Sequence, residues 1–503
     1  MIAADNQTGR RWTLLAVSAA QLLVVLDGTI VNIALPSAQH ALGMSDAARQ
    51  WAITAYALAF GGLLLIGGRV SGALGHRRAF VAGLVGFAAA SALGGAAANP
   101  GTLFGARALQ GAFAALLAPA GLSLLTLTFT EPRARGRAFG VFAAVGAAGS
   151  AVGLVAGGLL TEYASWRWCL YVNVPVALLA VLGTAFVPRD RPAGARAEGP
   201  VEAPAGRGGR LDVPGALLSA GGFAAVVYAF NEAEPRGWGS ARVLALLAVG
   251  VALLAAFVAV ELRAPRPLLA PRILLHRARA GALLAVTLLF VAAFGFYLFM
   301  SYYTQTVLGY SPVEAGLTLI VNALAALVGA TLVAGKLHGR VRPVTLVVPG
   351  LLAAAAGMLI LTTLTPDSGH VFWLYLVPSL TLTGLGLGCV LPPTASLATA
   401  GMRGHDIGAA SAAYNASQQL GAALGTALLN TVASSAAAAY AASHRGADPT
   451  AAVVHGYTSA LLVGFVILLV AAGVAGALLG AGGRRPGRGP SAPEHAEETA
   501  PLP

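Results

Sequence analysis

Leu26-Asp27-Gly28-Thr29-Ile30-Val31-Asn32-Ile33-Ala34-Leu35-Pro36 lies within the first long apolar run of the chain and sets a carboxylate, a hydroxyl and an amide inside it. A charged group at the centre of a bilayer costs about 2.5–3.5 kcal/mol on insertion scales, so such residues mark ion or substrate paths. Of the 19 acidic residues, the other 18 lie in loops, tails or the ends of apolar runs. Asp27 is therefore the first candidate for a proton-exchanging group. The alternative is a carboxylate that caps a broken helix or pairs across a packing interface.

Composition fixes the setting for that residue. With 57% hydrophobic and 10% charged residues and a mean hydropathy of +0.76, 503 residues carry too little polar surface for a soluble globule. The expected class is an all-α polytopic membrane protein. The net charge of +12 does not point to nucleic acid, because 25 of the 31 Lys and Arg residues fall in alternate short connections and the two tails. Such a bias sets orientation and puts both termini in the cytoplasm. Cys169 and Cys389 sit in apolar spans with no zinc or disulfide spacing. The apolar run after Arg10 and Arg11 is too long for a signal sequence, so the first span is expected to stay in the mature chain.

Fourteen windows of about 20 apolar residues follow one another from residue 13 to residue 480. They divide the chain into a cytoplasmic segment 1–12, a six-helix bundle 13–187, a Pro-, Gly- and Arg-rich cytoplasmic linker 188–211, an inserted helix pair 212–261, a cytoplasmic loop 262–280, a second six-helix bundle 281–480 and a disordered cytoplasmic tail 481–503. An internal echo supports two halves. Leu42-Gly43-Met44-Ser45 after the first window returns as Leu308-Gly309-Tyr310-Ser311 after the ninth, and a basic loop follows each, Gly68-Arg69-Val70 to Arg78 and Gly335-Lys336-Leu337 to Arg342. Paired halves are a recurrent transporter plan, with the substrate path between them.

Three tracts, in this order, resemble one family. They are Leu26 to Pro36, Ser165-Trp166-Arg167-Trp168-Cys169-Leu170-Tyr171-Val172-Asn173-Val174-Pro175, and Val307-Leu308-Gly309-Tyr310-Ser311-Pro312 with Glu314-Ala315-Gly316. Together they resemble the fourteen-helix drug:proton antiporters of the major facilitator superfamily, antibiotic-resistance exporters of actinomycetes among them. The resemblance implies two six-helix bundles plus two inserted helices. Gly68-Arg69-Val70-Ser71-Gly72-Ala73-Leu74-Gly75-His76-Arg77-Arg78 is similar to that family's loop between helices two and three, which implies a charge latch built on Gly68, Arg69, Gly75, Arg77 and Arg78. The family's acid is replaced by Gly72 and its basic residue by Ala73, so a positive anchor with a tight glycine turn is the competing reading.

Leu103 to Ala115 resembles the fourth-helix motif, in which a buried arginine assists proton movement; in this chain that implies Arg107, with Gln110 beside it. A buried guanidinium needs acceptors, and Asp27 or carbonyls of the first helix are the candidates. The alternative is an arginine that snorkels to a helix end. Thr29 and Asn32 near Asp27 complete a substrate or coupling set with Gln110. Gly149, Gly153, Gly157 and Gly158, with Gly146, keep a small residue about every fourth position, which lets a partner helix approach. The pattern resembles an antiporter motif whose prolines are replaced by Ser150 and Leu154. Glu232 near the end of the seventh window is either an exit-side acid or a solvated loop carboxylate. Phe290, Phe294, Phe296, Tyr297, Tyr302 and Tyr303 either line a cavity or face lipid and other helices.

No phosphate-cradling loop, His-Glu-x-x-His or Gly-x-Ser-x-Gly elbow occurs, so no enzyme, metal or cofactor is expected and a proton gradient is the energy source. The reading is a multi-pass plasma (inner) membrane exporter of a drug or antibiotic, antiported against protons, in contact with lipid but not nucleic acid, and functional as a monomer. Export of an endogenous metabolite or lipid is the alternative, and a non-transporting membrane enzyme or sensor stands behind it.

Overall fold

The computed structural model describes residues 2–44, 46–185, 212–264, 269, 274–365, 368–402, 406–444 and 448–480, with no β-strand among them. The linker 188–211, the tail 481–503, part of 262–280 and the side chains of Asn32, Ser150 and Leu154 lie outside the described residues. The first half comprises α1 (Ile2–Leu42), α2 (Asp46–Leu74), α3 (His76–Gly95), α4 (Pro100–Thr128), α5 (Pro132–Tyr163) and α6 (Trp168–Thr184). A hairpin of α7 (Val213–Arg236) and α8 (Ala241–Glu261) follows. The second half comprises α9 (Arg277–Val307), α10 (Val313–Leu337), α11 (Val344–Thr362), α12 (Phe372–Thr399), α13 (Asp406–Ser443) and α14 (Pro449–Gly480).

Local chemistry sets the helix limits. Asn99 caps α4 by accepting from the Thr102 amide at 2.9 Å, with Pro100 at the first helical position. Ser311 and Glu314 form a reciprocal capping box at the start of α10. Gly43 and Gly309, which the internal echo pairs, both take left-handed φ of 63° and 70° and turn the chain after the first helix of each half. Helix α1 begins well before residue 13, because no breaker precedes Gly9 and the Thr13 hydroxyl bonds the Gly9 carbonyl at 2.9 Å. Eleven helices, α1 to α4 and α8 to α14, are long and apolar enough to cross a bilayer. Two more, α6 and the stretch Pro214–Phe230 of α7, are apolar but shorter, and α5 is helical over 32 residues.

The halves repeat each other's packing. In the first, α4 lies between α2 and α3, while α1 packs on α5 and α6. In the second, α12 lies between α10 and α11, while α9 packs on α13 and α14. Arg77 donates to the Thr184 carbonyl at 3.1 and 2.9 Å, Arg277 to that of Ala477 at 2.8 Å, and Arg342 to that of Gly480. Trp12 lies against Gly183. The basic connections and both described ends of the chain therefore share one face, called the basic end below.

At that end the halves are pressed together. One apolar core gathers Phe80, Leu122 and Phe139 of the first half with Val286, Ala398 and Tyr414 of the second, whereas the remaining large cores belong to single halves. Ser123 meets Ser411 at 3.3 Å and the Thr126 hydroxyl donates to Thr399 at 3.1 Å. A Cβ on Gly68 would lie 2.5 Å from the Gly408 carbonyl oxygen, so α2 and α13 touch backbone to backbone. Gly136 of α5 receives the buried His338 from the far half in the same way. Away from that end, a Cβ on Gly28 of α1 would meet nothing within 4 Å, and Phe294 of α9 is 43% exposed.

Two measurements check this closure. Gly68→Leu should force α2 and α13 apart, since overpacking a close contact costs about 1–3 kcal/mol, and cysteines placed at Ser123 and Ser411 should then cross-link several-fold less. Burial, reinforced by the nearby Arg135 charge, lowers the basicity of His338. The closed contact is therefore retained at high pH and weakened as pH falls through about 6.5, where a freed imidazole takes a proton. His338→Gln should remove that pH dependence from the same cross-link.

Candidate functional site

Asp27 sits at mid-helix in α1 and is fully buried. Its Oδ2 accepts from Arg107 Nη1 of α4 at 2.6 Å. Its Oδ1 accepts from Gln110 Nε2 of α4 at 2.9 Å and from Asn173 Nδ2 of α6 at 2.8 Å. All three partners donate, so the cage is complementary to an ionised carboxylate. The guanidinium is satisfied in turn, with Nε donating to the Ala52 carbonyl of α2 at 3.1 Å and Nη1 to Gln110 Oε1 at 2.9 Å. Gln110 Nε2 also reaches Ser91 Oγ of α3 at 2.6 Å, and Asn173 Nδ2 reaches it at 3.3 Å.

The spacing of the α4 pair explains why one helix supplies both groups. Arg107 and Gln110 stand three residues apart and share a helix face, and Gly111 beside them lets α4 approach the α2 backbone at Tyr56. The Tyr56 ring lies under the guanidinium, 4.5 Å from its carbon, in a cation–π arrangement. The Tyr56 hydroxyl and Asn173 Oδ1 are buried and have no hydrogen-bond partner. One buried ion pair thus joins five helices, with two polar atoms left unused at its edge.

Of the residues singled out in the sequence, Asp27, Arg107 and Gln110 meet in this cage. The second acceptor of Arg107 belongs to α2, not to the first helix as the sequence suggested. Thr29 turns its hydroxyl back to the Val25 and Leu26 carbonyls at 3.1 and 3.0 Å and faces Gly153. Asn32 lies outside the described side chains. Gly146, Gly149, Gly153 and Gly157 form a seam against Gln21, Leu22, Thr29 and Ile30 of α1, while Gly158 faces Val313 of α10. Asn173, Ser91 and Tyr56 were not among the sequence candidates, although Asn173 lies in one of the tracts that carry the family resemblance.

Gly75 makes the α2–α3 turn with φ of 90°, Ser71 Oγ and His76 Nδ1 are 2.8 Å apart, and Arg77 is spent on α6 of its own half. Contact with the other half comes from the Gly68 backbone. Gly72 is half-buried, between the buried Ser71 and the exposed Ala73. Glu232 binds Arg236 at 2.6 Å and Arg242 at 3.3 Å and closes the α7–α8 hairpin, outside the cage. Phe296 and Tyr303 are buried in the core of the second half.

A family model described as Major Facilitator Superfamily matches residues 17–426. The chain belongs to the major facilitator superfamily. Among its relatives, Puromycin resistance protein pur8 of Streptomyces alboniger is 55% identical over 473 residues, or 93% of this chain and 91% of the relative. Cephamycin export protein CmcT of Amycolatopsis lactamdurans is 39% identical over 405 residues, 80% and 81% of the two chains. In fold, the human organic anion transporter MFSD10 aligns with a TM-score of 0.62 over 93% of this chain and 99% of its own, at 14% identity. As a superfamily member with eleven helices among the described residues that are long and apolar enough to span a bilayer, the protein is a multi-pass membrane protein. These relatives and neighbours are transport and resistance proteins, not enzymes.

Removing the carboxylate charge with Asp27→Asn leaves Arg107 buried without its counter-ion, an imbalance that costs about 3–5 kcal/mol in buried pairs. Thermal unfolding in detergent should show a clear loss for that variant and a partial recovery in Asp27→Asn/Arg107→Gln.

Proposed function

We propose that this superfamily member is a proton-driven exporter of amphipathic or cationic antibiotics that confers resistance by alternating access. The caged Asp27 carries this reading. It is the one carboxylate in the interior of an apolar span, and its cage ties α1, which in this reading borders an outward-facing cleft shared with α9, to four other helices. Resistance and export in the curated relatives support the substrate class. All fourteen helices then cross the membrane, in two six-helix domains and an inserted pair. The basic face is cytoplasmic and holds both termini, as the positive-inside bias favours. A single chain carries both halves, so a monomer suffices.

In this reading the conformation is closed toward the cytoplasm and open outward. Protonation of Asp27 cancels its attraction for Arg107 and releases α1 from α4, and α1 carries that change to the cleft through Gly28. The drug does not touch the carboxylate, which no open space reaches in this conformation. Coupling therefore runs through helix movement. One interior carboxylate gives one proton per substrate. A proton entering down 100 mV supplies about 2.3 kcal/mol, enough for a few tens-fold of substrate gradient.

Efflux of a fluorescent cationic drug, driven by an imposed pH gradient in inverted vesicles, tests the reading. Wild type should transport and stop with an uncoupler, Asp27→Asn in matched amounts should lose coupling, and Asp27→Glu should keep part of it. The measured proton-to-drug ratio should be one. Equal coupling in wild type and Asp27→Asn would reduce the carboxylate to a structural role and end this account.

A further inference from the structure

The repeat places a second polar cluster in the half that lacks Asp27. Gly111 of α4 packs on the Tyr56 carbonyl of α2, and Gly384 of α12 packs on the Asn322 carbonyl of α10 in the same manner. Asn322 thereby answers to Tyr56, and Thr383, which precedes Gly384, answers to Gln110. The second cluster consists of Tyr297 on α9, Asn322, and Thr383 with Ser379 on α12. It holds no ionisable acid or base that titrates near neutrality, so it has hydrogen bonds to offer but no proton to exchange.

Its bonds run in one direction only. Asn322 Nδ2 donates to the Leu380 carbonyl and to Thr383 Oγ1, both at 2.9 Å, and a carbonyl accepts only, so the amide orientation is fixed. The Thr383 hydroxyl gives its proton to the Ser379 carbonyl at 2.7 Å and is free to accept from Asn322. Asn322 Oδ1 is then an acceptor and takes the Tyr297 proton at 2.7 Å. The phenol has spent its only proton, and its oxygen keeps acceptor capacity alone. Ser379 Oγ, fully buried, has no partner either, so the cluster is not saturated from within.

Tyr297 is half-buried, unlike Phe296 and Phe299 beside it. It adjoins the face of α9 that carries the stacked Phe290 and Phe294 rings, 5.8 Å apart, with the half-buried Ser301 and Gln305 further along. Helix α9 packs on α12, α13 and α14, with the base of Phe290 against Gly421 of α13, and touches α10 only sparsely; in the export reading its side toward α10 fronts the cleft.

We propose that Tyr297 is a specificity-determining residue that presents a hydrogen-bond acceptor to the cleft, and thereby selects substrates bearing an N–H or O–H donor, a protonated amine above all. The inference rests on the export reading and deepens it: Asp27 carries the proton, and the neutral half reads the substrate. Asn322 and Thr383 act as positioning residues that hold the phenol proton away from the cleft. Substrates that only accept hydrogen bonds gain nothing from this oxygen.

The test pairs puromycin, which carries a primary amine, with its quaternary trimethylammonium derivative, which keeps the charge and loses the donor; tetraphenylphosphonium serves as a donor-free cation. In proton-driven efflux by wild type, quaternisation should raise KM about fivefold to tenfold, the worth of one hydrogen bond. In Tyr297→Phe that difference should vanish, while KM for tetraphenylphosphonium and the proton-to-drug ratio stay unchanged. A difference that persists in Tyr297→Phe overturns the proposal, as does a wild type indifferent to quaternisation. The wild-type comparison needs no variant, so a poorly folding Tyr297→Phe does not shield the proposal. If wild type moves none of the three cations under any gradient, the export reading itself fails and this inference falls with it; if it moves all three and ignores the donor, only this inference fails.

Discussion

A buried pair of opposite charges governs the first half of the molecule. Taking Asp27 and Arg107 out of water costs several kcal/mol per ion, and only dense hydrogen bonding offsets that. The chain meets the demand with donors from α4 and α6, a carbonyl from α2 and a serine from α3, so the positions of five helices are tied to one carboxylate. The arrangement is stable and also conditional. Neutralising one member removes the reason for the others to converge, and a structure held by a condition can be switched by it.

The second half solves the same packing problem without charge. Gly384 brings α12 onto α10 as Gly111 brings α4 onto α2, but Asn322, Thr383 and Tyr297 occupy the space with neutral hydrogen bonds. Equivalent backbone geometry with unequal side chains separates two tasks that a symmetric dimer of bundles would have to share. Three π-helical segments, Tyr303–Val307, Gly329–Ala334 and Phe372–Leu376, occur in this half among the described residues. Such segments widen the helix and often accompany functional positions.

The apolar runs, the two halves and the Asp27, Arg107 and Gln110 trio were legible because ionisable groups inside hydrocarbon are rare and costly. Asn173 and Ser91 were not, since single neutral polar residues in membrane helices are common and only proximity in space gives them meaning. The same holds for Gly68 and Gly408: each reads as one small residue among many, and nothing local says that they touch. The pairing of Glu232 was not legible, because a carboxylate at a span's end looks alike whether solvated or paired; its partners are Arg236, one turn on in α7, and Arg242 at the start of α8. Phe296 and Tyr303 share an aromatic run with Tyr297, and only the phase of α9 against its neighbours separates core rings from the half-exposed one.

The inserted hairpin gives the molecule unequal moving parts. Helix α7 lies against both halves, but its two contacts differ in texture: Phe223 fits a notch at Gly61 of α2, whereas toward α13 Ala216 shares a cluster with Ala409, Ala410 and Ala413, and Trp238 in the turn after α7 donates to Thr431 at 2.7 Å. A ring in a notch resists sliding, and an alanine surface permits it. The hairpin is therefore keyed to α2 by shape and meets α13 across a surface of small side chains.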